Sequence, residues 1–208
     1  YINDAGSQVK NLGLSILLRA KELNGEKVNF PEGCYLGDYV SDLARQYISS
    51  GYSTDINDEN IEKASAFGVN IMLDIIKSDL NDFNVRFDAY FSEKKLFTDG
   101  YVDNTLTTIK NKSLSYEKDG ALWFKSTDYG DDKDRVLIKE NGETTYFASD
   151  IAYHRHKFER RFDQYINIWG ADHHGYVPRI KSAIKALEFD DEKLKVLMVQ
   201  MVSLFRGG

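Results

Sequence analysis

Tyr146-Phe-Ala-Ser-Asp150-Ile-Ala-Tyr-His-Arg-His-Lys-Phe-Glu-Arg-Arg-Phe162 followed by Asp163-Gln-Tyr165-Ile-Asn-Ile-Trp169-Gly170-Ala-Asp172-His173-His174-Gly175-Tyr176 is the stretch on which the chain's reading turns. Tyr146 and Asp150 lie four residues apart where a strand pattern gives way to a helix pattern. Tyr165 to Trp169 reads as a buried strand. A polar, glycine-bounded segment carrying Asp172, His173 and His174 follows it at once. In open α/β sheets, ligands bind outside the carboxyl ends of the strands, so this segment is a site candidate on position alone.

Working outward, Val177 to Leu187 has a helical pattern, with Pro178 where a first helical turn tolerates proline. Lys195 to Met201 reads as a final buried strand. Strand–helix–strand alternation predicts a parallel sheet. Upstream, Leu114 to Glu117 and Ala121 to Lys125 form an expected hairpin about Lys118-Asp119-Gly120. Arg135 to Lys139 and Thr144 to Phe147 form a second about Asn141-Gly142, a strong hairpin signal. The acidic run Asp128, Asp131, Asp132 and Asp134 reads as a flexible loop between them.

The first part is helical by period. Val9, Leu12, Ile16, Ala20 and Leu23 recur on one face. Tyr39, Val40, Leu43, Ala44, Tyr47 and Ile48 define a second apolar face. Ile61, Ala64, Phe67, Ile71, Ile75 and Leu80 define a third, with Asp58 as its expected cap. Asn84 to Phe91 alternates like a strand, and Tyr101 to Asn111 reads as a short helix. The expected architecture is α/β: a first half over residues 1–91, an α+β insertion over 92–143 and a second half over 144–208.

The 208 residues are 42% hydrophobic and 29% charged, an ordinary globular composition. Cys34 is the single cysteine, which excludes a disulfide framework and a cysteine-built zinc site and fits a reducing compartment, the cytoplasm. No apolar run approaches the ~20 residues of a membrane span. The net charge of -6 argues against a broad basic nucleic-acid surface. Arg155, Lys157, Arg160 and Arg161 cluster on one helix and read first as a solvated face, with a local basic contact as the other reading. The opening Tyr1-Ile2-Asn3-Asp4 lacks an initiator methionine and a leader pattern, and the end at Leu204-Phe205-Arg206-Gly207-Gly208 follows a strand directly; both read as cut from a longer chain.

Residue chemistry leaves alternatives open. Asp150 is either a helix cap or dipole partner or a carboxylate offered to a cationic ligand, with Tyr146 alongside. Asp172, His173 and His174 are structural, or ligands for manganese as in Asp-His-His phosphoesterases, or nucleotide contacts. In the nucleotide reading Gly170 lets the backbone approach, Asp172 accepts from ribose hydroxyls and an imidazole stacks or donates. Neither GxGxxG nor GxxxxGK[ST] occurs.

The segment from Asp134 to Gly208, the opening YINDAGSQVKNLG, the central YLGDYVSDLA and the FDAYFSE run together resemble bacterial arginyl-tRNA synthetases, class I enzymes with a Rossmann-type catalytic domain split by a connective insertion. The resemblance implies activation of L-arginine with ATP and transfer to tRNA, with Mg2+ accompanying ATP, in a cytoplasmic and monomeric enzyme. It implies that Tyr146 and Asp150 hold the guanidinium and that Gly170 and Asp172 contact the adenosine ribose. His173 and His174 would line the ATP side, and Gln200 would lie near the adenine. Asn3, Asp4 and Gln8 are expected on the pocket wall. The His-x-Gly-His and lysine signature loops of class I are absent from these 208 residues, so this stretch is expected to be inactive alone.

Overall fold

The computed structural model describes residues 1–203 and 205; Leu204, Arg206, Gly207 and Gly208 of the C-terminal motif lie outside the described residues. Two compact units divide after Lys94.

The first unit is helical. Helix α1 (Ser7–Leu23), α2 (Asp38–Ser49) and α3 (Asp58–Asp82) follow the three apolar periodicities. Ile16, Leu17 and Ala20 of α1 meet Val40, Leu43, Ala44 and Tyr47 of α2 and Ala64 of α3 in one core. Close approach of α1 to α3 rests on Gly13, where a Cβ would sit 2.4 Å from the Ile61 carbonyl oxygen and 2.2 Å from Ser65 Oγ. The helix start at α3 is capped by Asn57, whose side chain accepts from the Asn60 N–H, rather than by Asp58. Leu23, Tyr39 and Ile75 keep the helical period but lie 40–47% exposed, beyond the reach of the core.

Asn84 to Phe91 is not a strand. Asn84 turns left-handed (φ 58°) past the end of α3, and the Val85 N–H returns to the Leu80 carbonyl. Among the described residues its one pairing comes at its end, where Ile2 bridges to Ser92 in parallel, with Ile2 N–H donating to Phe91 O and Glu93 N–H to Ile2 O. Alternation writes a strand pattern, but a strand exists only where a ladder partner is present.

The second unit joins α5 (Tyr101–Asn111), after the short α4 (Glu93–Thr98), to β1 (Ser115–Lys118), β2 (Ala121–Phe124) and β3 (Arg135–Ile138), an antiparallel sheet in that order. The expected second hairpin is only partly formed: Thr144 makes one bridge to Ile138, and helix α6 (Tyr146–Glu159) starts immediately after it. Strand β4 (Tyr165–Gly170), helix α7 (Val177–Ala186) and strand β5 (Leu194–Val199) form a parallel βαβ unit, in register from Tyr165–Leu194 to Gly170–Val199. Tyr165, Asn167, Leu194 and Val196 turn toward covered positions, whereas Ile166, Ile168, Leu197 and Val199 are 50–69% exposed. These strands, expected to be fully buried, are therefore covered on one face by the described residues.

Candidate functional site

The site gathers at the carboxyl edge of the parallel pair. Tyr146 opens α6 and is 76% exposed. Asp150 follows one turn later on the same helix face, so the two residues belong to one helix rather than straddling a strand–helix junction. Their i, i+4 relation places the two side chains on one face of α6.

Asp150 is held from a second element. Ala171–Tyr176 forms a short 3-10 turn between β4 and α7, and the Tyr176 hydroxyl donates to Asp150 Oδ2 at 2.6 Å. Among the described residues no group donates to Oδ1. Burial pushes the Asp150 carboxyl above its ordinary value, while the Tyr176 hydrogen bond and the His173 and Arg179 side chains oppose that rise. Burial beside this carboxylate also pushes the Tyr176 phenol far up, so it stays protonated and donates. The Tyr176 ring is fixed on several sides: Arg179 lies over it at 4.5 Å, Trp169 packs at 6.0 Å and Phe147 meets it edge-on at 6.4 Å.

Behind the site, His154 ties α6 to β4. His154 Nδ1 lies 2.8 Å from the Asp150 carbonyl oxygen, and His154 Nε2 lies 2.9 Å from Asn167 Nδ2. Asn167 Oδ1 accepts from Lys157. Lysine only donates, which orients the amide and makes Nε2 an acceptor, so His154 is the neutral Nδ1–H tautomer. Burial lowers its pKa to about 4, with the nearby Lys157 charge adding to the effect. Burial likewise lowers Lys157 to about 8.

Gly170 ends β4 at φ -63°, an ordinary backbone conformation. Its lack of a side chain matters for another reason: a Cβ there would sit 2.5 Å from Asp172 Oδ1. Asp172, His173 and His174 are exposed, and His173 Nε2 lies 3.6 Å from Asp172 Oδ2. Gln200 is exposed one residue past the Gly170–Val199 pair, at the same edge of the sheet. The structure thus brings Asp150, His173, Tyr176 and Arg179 together, with Gly170, Asp172 and Gln200 along the adjoining strand ends.

The acidic loop is not free. Arg135 grips Asp131 through Nε and Nη2 at 2.8 and 2.9 Å, and Asp134 accepts from the Thr127 N–H and the Tyr116 hydroxyl. A short 3-10 helix, Ser126–Tyr129, takes up the start of the expected loop. This loop faces Gly175 and Arg179 across a polar cavity of about 460 Å³. Among the described residues no three His, Cys, Asp or Glu side chains converge on a metal position. Among the described residues, Asp172, His173 and His174 are not joined by the further ligands that the manganese reading requires.

The basic run on α6 is not one solvated face. Arg155 donates to Glu159, Asn104 and Thr108, and Lys157 is turned to Asn167. Arg160 and Arg161 lie at and beyond the helix end and are exposed. In the first unit, Asn3 and Gln8 line an apolar cavity of about 530 Å³ with Leu12, Met72 and Phe87. Asp4 instead holds the start of α4, accepting from Ser92 Oγ at 2.6 Å and Lys94 N–H at 2.9 Å.

Periodicity missed Tyr176, Arg179, His154 and Asn167. One signal was available: Asn167 shares the inward parity of Tyr165 and Trp169, and a polar group buried in a strand needs a partner.

A parallel βαβ unit with a polar turn at its carboxyl edge, preceded by a small antiparallel sheet, is the architecture of a Rossmann-type catalytic domain carrying an insertion. Residues 21–205 match the model of the class I tRNA synthetases of the arginine type, catalytic domain. Arginine–tRNA ligases of Geobacter sp. (strain M21) and Oceanobacillus iheyensis are 54% and 46% identical to this chain over its whole length. The chain belongs to the arginine-type class I tRNA synthetases. It spans 38% of the length of each of those relatives. A solved structure described as a putative arginyl-tRNA synthetase from Campylobacter jejuni covers 98% of the chain, at 42% identity and a TM-score of 0.89, with 45% of its own length matched. The arginyl-tRNA synthetase of Thermus thermophilus matches 89% of the chain and 39% of its own length, at a TM-score of 0.64 and 16% identity, a likeness of fold alone.

Proposed function

We propose that this chain is the arginine- and nucleotide-facing part of an arginine–tRNA ligase. The whole enzyme joins the carboxylate of L-arginine to the α-phosphate of ATP, releasing pyrophosphate, and then passes the arginyl group to the terminal ribose of its tRNA. One observation carries the reading: a half-buried carboxylate, Asp150, has one oxygen held by Tyr176, no described residue donates to the other, and the exposed Tyr146 lies on the same face of α6.

An ionised carboxylate in that setting favours a cation that brings its own N–H donors. A guanidinium satisfies both demands; the neutral ureido group of citrulline meets only the hydrogen-bonding one. Asp172, with Gly170 leaving room for its carboxylate, accepts from the ribose hydroxyls. His173, His174 and Gln200 face the nucleotide. Mg2+ travels with the ATP phosphates. The same reading makes residues 92–143 the connective insertion, and it leaves Arg160 and Arg161 as the α6 cations open to tRNA. It also makes the enzyme a cytoplasmic monomer, which sedimentation of the full-length protein tests.

The experiment is Asp150→Asn in the full-length enzyme, followed by arginine-dependent ATP–pyrophosphate exchange. Hydrogen bonds to charged groups contribute ~1.5–3 kcal/mol each, so the KM for arginine is expected to rise at least tenfold, with the KM for ATP little changed. Wild-type arginine kinetics in that variant would refute the assignment.

A further inference from the structure

We propose that Tyr176 is the positioning residue for guanidinium recognition: its phenol pins Asp150 Oδ2 and leaves Oδ1 to receive the substrate's cation. The inference rests on the reading of Asp150 as the arginine carboxylate and adds a residue that this reading does not include.

A carboxylate at the end of a single χ2 rotor has a broad, roughly two-fold torsional profile. Left to itself, Asp150 would sample orientations that present either oxygen, or neither, to a ligand beside Tyr146. The 2.6 Å bond from Tyr176 removes that freedom. The bond is stiff because the ring cannot swing. Arg179 covers it at 4.5 Å, and Trp169 and Phe147 pack about it at 6.0 and 6.4 Å. The main chain of Asp150 is fixed as well, since its carbonyl oxygen is bonded to His154 Nδ1 at 2.8 Å. Backbone and one carboxylate oxygen are therefore set before any ligand arrives, and preorganisation of this kind lowers the ordering cost of binding.

Tyr176 also suits the charge of the site. A phenol bonded to a carboxylate donates without bringing a positive charge, so the anion is oriented but not neutralised. An arginine or lysine in its place would consume the negative charge that the substrate needs. The titratable and charged groups facing Asp150 are His173 and Tyr176 on the turn and Arg179 on α7; Arg135 on β3 is within electrostatic reach of Tyr176. Of these, Tyr176 alone is bonded to the carboxylate.

The test is Tyr176→Phe in the full-length enzyme, which keeps the ring and its packing and deletes only the hydroxyl. Asp150→Asn is run in parallel. The KM for arginine in ATP–pyrophosphate exchange is expected to rise about tenfold, equivalent to ~1.4 kcal/mol, with kcat and the KM for ATP within about twofold of wild type. The acid limb of the arginine KM should also move to higher pH in Tyr176→Phe. Deleting the hydroxyl removes an interaction that favours the ionised carboxylate, so protonation sets in earlier. A ring with a packing role alone would move neither the acid limb nor the arginine KM selectively.

An unchanged arginine KM and acid limb in Tyr176→Phe, beside a large loss in Asp150→Asn, overturns the positioning role and leaves the arginine reading standing. Equal losses in arginine KM, ATP KM and kcat also overturn it, since they report a displaced turn. Wild-type arginine kinetics in Asp150→Asn overturns the arginine reading and this inference with it.

Discussion

His154 Nε2 accepts a hydrogen bond from Asn167 Nδ2 at 2.9 Å, joining helix α6 to the middle of strand β4 directly behind Asp150. The imidazole is buried and neutral, and its partners on both sides are themselves fixed: the Asp150 carbonyl oxygen and an amide oriented by Lys157.

That bond makes stability depend on pH in a defined direction. Burial lowers His154 from 6.5 to about 4, so above the unfolded value neither state carries the proton and the contribution is fully present. As pH falls below 6.5 the unfolded chain takes up a proton that the native protein refuses, and stability is lost until about pH 4. The gap corresponds to on the order of 3 kcal/mol. His154→Leu removes this dependence but strands the Asn167 amide, at ~1–3 kcal/mol. Urea midpoints at pH 7, 5 and 4 should show a variant that starts weaker and declines less steeply than wild type. Parallel curves would show that His154 is not the neutral, buried group described.

Arg135→Leu is expected to be strongly destabilising. The Asp131 side chain is only 2% exposed, and burial alone would raise its carboxyl, yet the hydrogen bonds of Arg135 and the Asp132 N–H hold it below the ordinary range. Removing one partner of a buried pair costs ~3–5 kcal/mol, whereas replacing both by apolar side chains is often close to neutral. The double variant Asp131→Leu/Arg135→Leu should therefore recover more than half of the loss in chemical denaturation. No recovery would mean that the pair stabilises the loop by geometry rather than by compensating a buried charge.

Gly170→Ala separates site from fold. The backbone there accepts any L-residue, and the atom that a Cβ would meet is the end of an exposed, flexible carboxylate. Thermal stability should stay within about 0.5 kcal/mol of wild type, as for surface substitutions in general. Asp172 should nevertheless be displaced, raising the KM for ATP severalfold in the full-length enzyme. A large fall in melting temperature would show that Asp172 has no room to move.

Local order was readable where one period or one turn type was sufficient. The apolar faces of α1 and α2, the Asp119–Gly120 hairpin and Pro178 at the start of α7 all follow from neighbours close in sequence. The alternating run Asn84 to Phe91 was not readable in this way. Its pattern states what a strand would bury, but a ladder depends on a partner distant in sequence, and among the described residues Ile2 supplies a single bridge, to Ser92. Thr144 to Phe147 failed for the opposite reason. The residues are β-prone, but the backbone turns into α6 after one bridge, and Tyr146 and Asp150 then share a helix face.

The parallel βαβ unit, the polar turn at its carboxyl edge and the candidacy of Asp150 were all written in the amino-acid order, because apolar periodicity and residue chemistry are carried locally along the chain. Packing settled which oxygen of Asp150 Tyr176 holds, that Lys157 serves Asn167 rather than solvent, and that Asp131 and Asp134 of the acidic loop are engaged by Arg135, Thr127 and Tyr116. A hydrogen bond requires donor and acceptor within about 3 Å at a defined angle. Residues such as Tyr176 and Asp150, 26 positions apart, meet that condition only once two helices and a turn have packed.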